Sequence, residues 1–140
     1  MRLACEQPLG SAAREQSRAH VQRLCVEHDL CWVEDLDYWL ASCSDDGQSI
    51  HTPPLTSEMD YLAAVHEVGH FALGGLPTHA ADGETVLFEN EERVWLWTLE
   101  QLPQAPSESA RALIYGCFRS YEGQMASPEI RERMKRLLDY

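Results

Sequence analysis

The stretch of this 140-residue chain that most constrains its fold is residues 57–75, which carry their own start and stop signals. Ser57-Glu58-Met59-Asp60 has the form of a capping box, in which a hydroxyl and an acid three residues on satisfy the free amides of a first turn. Leu62, Val65, Phe71 and Leu73 then recur among alanines, and Gly74-Gly75 supplies residues that adopt the left-handed termination. These signals predict a helix over 57–73. In its middle lies His66-Glu67-Val68-Gly69-His70, an H-E-x-x-H sequence.

The spacing has a chemical consequence. Four residues are just over one helical turn, so His66 and His70 project from one face and aim two nitrogen lone pairs at one point. Zinc takes N and O donors at about 2.0–2.2 Å, and a helical H-E-x-x-H is a site for it. Glu67 flanks that point, offset from both ligands, and is placed to take a proton from water. Gly69 costs a helix interior roughly 1 kcal/mol, which suggests close approach of another group. A catalytic zinc keeps three protein ligands and one water position, so a third donor must come from elsewhere. The other histidines are His20, His28, His51 and His79. Asn90-Glu91-Glu92 offers carboxylates 21 residues beyond His70 (91 − 70 = 21).

Around this helix the chain reads as α+β. Ser11 to about His28 is an amphipathic helix with Val21, Leu24, Cys25 and His28 on one face. Cys31–Val33, Tyr38–Cys43 and Gln48–Thr52 favour strands, with Asp45-Asp46-Gly47 as turn chemistry between the last two and Pro53-Pro54 ending the run. This predicts a small hairpin sheet of antiparallel or mixed type with three strands. After a polar loop at 74–84 comes the apolar Val86-Leu87-Phe88. A helix is then expected from about Asn90 to Leu102, stopped by Pro103. Two more helices follow. Ser107 caps one that carries Ala110, Leu113, Ile114, Cys117, Phe118 and Tyr121. Ser127-Pro128 opens the other, with Ile130, Met134, Leu137 and Leu138 as its stripe. The expected architecture is one domain over 1–140, its sheet packed on an N-terminal helix, the histidine helix, a glutamate helix and two C-terminal helices.

Composition narrows the function classes. Eleven Lys+Arg against 23 Asp+Glu leave a net charge of −12, which offers little general attraction to phosphate backbones, so no nucleic-acid partner is expected. The opening residues lack a secretory signal pattern and no stretch has the length to span a bilayer; a cytoplasmic protein with no membrane partner is expected. Cys5, Cys25, Cys31, Cys43 and Cys117 form an odd set without a C-x-x-C pair and read as reduced core thiols.

Tyr61 to Gly74, read with Glu91-Glu92-Arg93-Val94-Trp95-Leu96-Trp97, resembles the gluzincin metallopeptidases, in particular the small ImmA/IrrE-type and minigluzincin proteins, over roughly residues 12–103. The H-x-x-G-x-x-H continuation of metzincins is absent, and Leu73 stands where their glycine would be. The resemblance implies a following glutamate helix that supplies the third ligand. With the family's alanine on Val94 and its aromatic on Trp97, that ligand falls on Glu91, with Glu92 and Glu89 as the alternatives. Thermolysin-type gluzincins place an orienting acid four residues after the ligand; here Trp95 follows Glu91 and Leu96 follows Glu92.

The implied activity is zinc-dependent endopeptidase action, with Zn2+ held by His66, His70 and Glu91 and with Glu67 as general base. The implied partner is a peptide or protein substrate, or one regulatory protein, and the strand Gln48–Thr52 is expected to pair with extended substrate. Candidate donors to a tetrahedral oxyanion are His79, Tyr115, Arg119 and Tyr121. A second reading is a zinc-containing regulatory module with little turnover, marked by a fourth protein donor such as His79. A third is a helical binding domain without metal.

Overall fold

In the computed structural model, residues 8–38, 41–43, 48–119 and 128–139 are described. They are α+β, with five helices and a small mixed sheet of three strands, and the chain divides into two units, Met1–Gly75 and Leu76–Tyr140.

The first unit opens with α1 (Ser11–Glu27), whose buried residues Ser17, Val21, Leu24 and Cys25 recur at helical spacing; His28 caps its end. Three strands follow: β1 (Cys31–Glu34), β2 (Ser42–Cys43) and β3 (Ser49–Thr52). The sheet order is β1-β3-β2, with β1 parallel and β2 antiparallel to β3. Ile50 and Thr52 are fully buried, which is the alternation of a strand with one face on the core. Burying a side chain such as Ile50 is worth about 1.5–3 kcal/mol, so its strand takes the covered central place. The mixed three-stranded sheet is the expected one: β2 pairs antiparallel with β3 and β1 joins by a parallel pairing. One expectation, substrate pairing along β3, is corrected. β3 lies between β1 and β2, where Cys31 pairs with Ser49, Glu34 with Thr52 and Ser42 with His51, so its backbone is engaged and substrate does not add to it there. The expected strand from Tyr38 shortens to two residues, and Tyr38 itself donates its backbone amide to Asp35 in a turn. Residues 39–40 and the expected turn at Asp45-Asp46-Gly47 lie outside the described residues.

The last element of this unit is α2 (Glu58–Ala72), which packs against both α1 and β3. Trp32 on β1 donates its indole N–H to Thr52 Oγ1 at 2.9 Å, and the Arg18 guanidinium of α1 lies 5.1 Å from the Trp32 ring centroid while pairing with Glu34. Cys25 is buried, and burial pushes its thiol up to about 11. Cys31, expected in the core, is exposed on β1, because the alternation that turns Trp32 inward turns its neighbours out.

The second unit holds α3 (Phe88–Gln101), α4 (Glu108–Arg119) and α5 (Pro128–Leu137), with α5 packed on both of the others. Ser107 Oγ accepts the Ala110 amide at 3.1 Å and caps α4 as expected. Ala110, Ile114, Met134 and Leu138 are buried. Expected stripe residue Tyr121 and the expected cap Ser127 lie outside the described residues. The start of α3 is two residues earlier than expected. No side chain caps it, and Leu87 accepts from the amides of both Asn90 and Glu91 while Phe88 is buried in the first turn. Here the helix start coincides with burial of Phe88, which carries no capping signature. Among the described residues, no helix is long and apolar enough to cross a membrane.

Candidate metal centre

The histidine helix is fixed at both ends by local chemistry. Ser57 Oγ accepts the Asp60 amide at 3.1 Å, and Asp60 Oδ2 accepts from the amides of Ser57 at 3.0 Å and Thr56 at 3.1 Å and from the Thr56 hydroxyl at 3.1 Å. These bonds satisfy amides that the first turn leaves open and place an acid at the positive end of the helix dipole. At the other end the Gly75 amide donates to the His70 carbonyl at 2.9 Å, and Gly74 and Gly75 take φ of +88° and +81°, a region that favours glycine.

Between these ends α2 buries Leu62, Ala64, Val65, Val68 and Gly69, and on the same covered side His66 and His70. The two imidazoles are 7% and 5% exposed, their ring centroids lie 4.9 Å apart, and their planes are nearly perpendicular. Glu67, between them in sequence, is half-buried.

Three acids near the start of α3 were possible third donors, and the structure gives them different surroundings. Glu89 is exposed. Glu92 is engaged by α5: Arg133 Nε donates to its Oε2 at 3.1 Å and Arg133 Nη2 pairs with its Oε1, a two-pronged contact that occupies both oxygens. Glu91 is 6% exposed, and its Oε2 accepts the Thr78 hydroxyl at 3.2 Å. His66, His70 and Glu91 form a buried group whose candidate ligand atoms all lie within 4.8 Å of one another, and this group could hold a metal ion.

The donor chemistry fits that role. A buried carboxylate is costly unless charge or hydrogen bonds compensate it, and a divalent cation supplies compensation directly. Two imidazoles and one carboxylate suit a borderline ion better than Mg2+ or Ca2+, which favour all-oxygen sets. Thr78 supplies a hydrogen bond to the carboxylate, the kind of support that orients a ligand. Sequence reasoning missed this residue. It lies 13 positions from Glu91 in a loop whose composition signals only turns, although the backbone there is tied down: Leu87 N donates to Thr78 O at 2.8 Å and the Asn90 side chain to Pro77 O at 3.1 Å.

The remaining histidines have other surroundings. His20 Nδ1 contacts the Tyr61 hydroxyl, and burial, aided by Arg23, lowers its pKa. His28 caps α1. His51 lies between the Ser49 and Tyr38 hydroxyls, each at 3.1 Å. His79 is exposed, bridges Val86 through its backbone, and is not part of the three-residue group found among the described residues. Of the other candidate oxyanion donors, Tyr115 is half-buried on α4 and Tyr121 and the Arg119 side chain lie outside the described residues. No protein-family model, no curated protein and no solved structure matches this chain.

Proposed function

We propose that the chain is a zinc-dependent endopeptidase of the gluzincin type, cleaving peptide or protein substrates. The observation that carries this reading is the burial of His66, His70 and Glu91 with their candidate ligand atoms within 4.8 Å, while Glu89 is exposed and Glu92 is held by Arg133. Three protein donors are the number used by catalytic zinc, which leaves a position for water, whereas structural zinc closes all four.

When bound, zinc supplies a Lewis acid that lowers the pKa of water towards about 7 and polarises a peptide carbonyl. His66 and His70 would hold it through ring nitrogens, and Glu91, whose carboxylate accepts the Thr78 hydroxyl, would be the third ligand. Glu67 accepts one proton as the water oxygen attacks the carbonyl carbon, and delivers it to the amide nitrogen as the C–N bond breaks. The free thiols of Cys25, Cys31 and Cys43 favour a reducing compartment, and the reading places the enzyme in the cytoplasm.

The test is Glu67→Gln in the zinc-loaded protein against a peptide library. Zinc is expected to stay stoichiometric while turnover falls by about 10²–10⁴, the usual contribution of a general base. Loss of zinc with the fold intact would make Glu67 a ligand or a structural residue, and a zinc-loaded parent that cleaves nothing would return the protein to the regulatory-module reading.

A further inference from the structure

The basic residues of this acidic chain are unevenly spread. Four of its 11, Arg131, Arg133, Lys135 and Arg136, fall within α5. In the second unit a cavity of about 360 Å³ is lined by Glu92, Arg93 and Leu96 of α3 and by Arg133, Arg136 and Leu137 of α5. Glu92 and Arg133 neutralise each other. Arg93 and Arg136 are exposed and have no ion-pair partner among the described residues, so the lining carries a net +2 (three Arg against one Glu). Its walls are otherwise apolar, and Leu96 is 49% exposed although it is a large aliphatic residue. Such a cavity suits an apolar side chain flanked by carboxylates. A polynucleotide is a poorer match, since it has no use for the leucines and would run on into a surface of net −12.

One described segment has the complementary form. Asp35-Leu36-Asp37 follows β1, and Leu36 is 87% exposed, the most exposed large hydrophobic residue among those described. The segment is held in shape. Asp35 N donates to Thr52 O at 3.1 Å, Tyr38 N donates to Asp35 O at 3.1 Å, and Asp37 N donates to Asp35 Oδ1 at 2.9 Å, so Leu36 and Asp37 form the corner of a closed turn. A leucine held outwards between two acids loses little entropy on docking.

We propose that the α3–α5 cavity receives the Asp35-Leu36-Asp37 turn of a second copy of this chain, Leu36 entering between Leu96 and Leu137 and the flanking carboxylates pairing with Arg93 and Arg136. The contact joins unlike surfaces and is small, so association is weak, concentration-dependent and reduced by salt.

Sedimentation of the full chain tests this up to about 1 mM, with circular dichroism confirming that each surface variant is folded. The parent is expected to self-associate, and Leu36→Ser and Arg136→Glu each to weaken that association at least about tenfold. Mixing the two variants should restore association limited to one-to-one complexes, because one keeps the cavity and the other keeps the turn. Arg93→Glu repeats the cavity arm should Arg136→Glu not fold. A parent that stays monomeric over the whole range, variants that associate like the parent, or a mixture that fails to form the complex would each overturn the proposal. Tighter binding of a single-stranded oligonucleotide than of a second copy would do so too. None of these outcomes depends on bound metal, so the proposal fails or stands separately from the peptidase reading.

Discussion

Helices α2 and α3 each carry candidate donors but are specified in different ways. In α2 the capping box at Ser57 and Asp60 and the glycines at 74–75 are local, and the two histidines follow at fixed spacing between them. In α3 no side chain caps the start, and acids at 89, 91 and 92 give the helix three candidate donors within one turn. Partners distant in sequence separate them: Thr78 on Glu91 and Arg133 on Glu92, the latter 41 positions away. A motif in which neighbouring turns supply the donors is fixed by short-range chemistry. A donor from another element is fixed by what surrounds it.

Substitutions on α3 should break this contrast most sharply. Glu91→Ala is expected to weaken zinc binding by more than the roughly 10–100-fold usual for loss of an outer partner, whereas Glu92→Gln and Glu89→Gln keep parental affinity. Competition titration with a chromophoric chelator measures all three, and zinc loss confined to Glu92→Gln would show that the neighbouring residue is the ligand. Thr78→Val sharpens the comparison by removing only the outer hydrogen bond: affinity should fall by about tenfold with the stoichiometry unchanged. The smallest effect belongs to the locally specified helix. Ser57→Ala should cost about 1 kcal/mol of stability in denaturant unfolding, with little change in zinc affinity once the protein is folded. A large affinity loss there would mean that the cap positions the histidines more directly than the comparison holds.

These differences explain what could be read in advance. The boundaries of α2, the cap of α4 and the proline start of α5 rest on signals within a few residues, and the sequence places them within one residue of where they form. Sheet order was less legible, because the parallel pairing of β1 with β3 joins residues 18 apart and neither strand encodes its neighbour (49 − 31 = 18). An expectation of substrate pairing on β3 failed for that reason. The start of α3 was misplaced because Phe88 is buried without a capping side chain. Glu91 was favoured over Glu92 in the sequence by a family register; in the structure the two are separated by burial and by the engagement of Arg133.

X-ray absorption at the zinc edge of the dialysed, metal-loaded protein tests the central claim most directly. One zinc per chain is expected, with a first shell of nitrogen and oxygen at about 2.0–2.2 Å and the multiple-scattering signature of two imidazoles. A sulfur neighbour near 2.3 Å, a signature of fewer than two imidazoles, or no zinc surviving dialysis would contradict the grouping of His66, His70 and Glu91 as a metal centre.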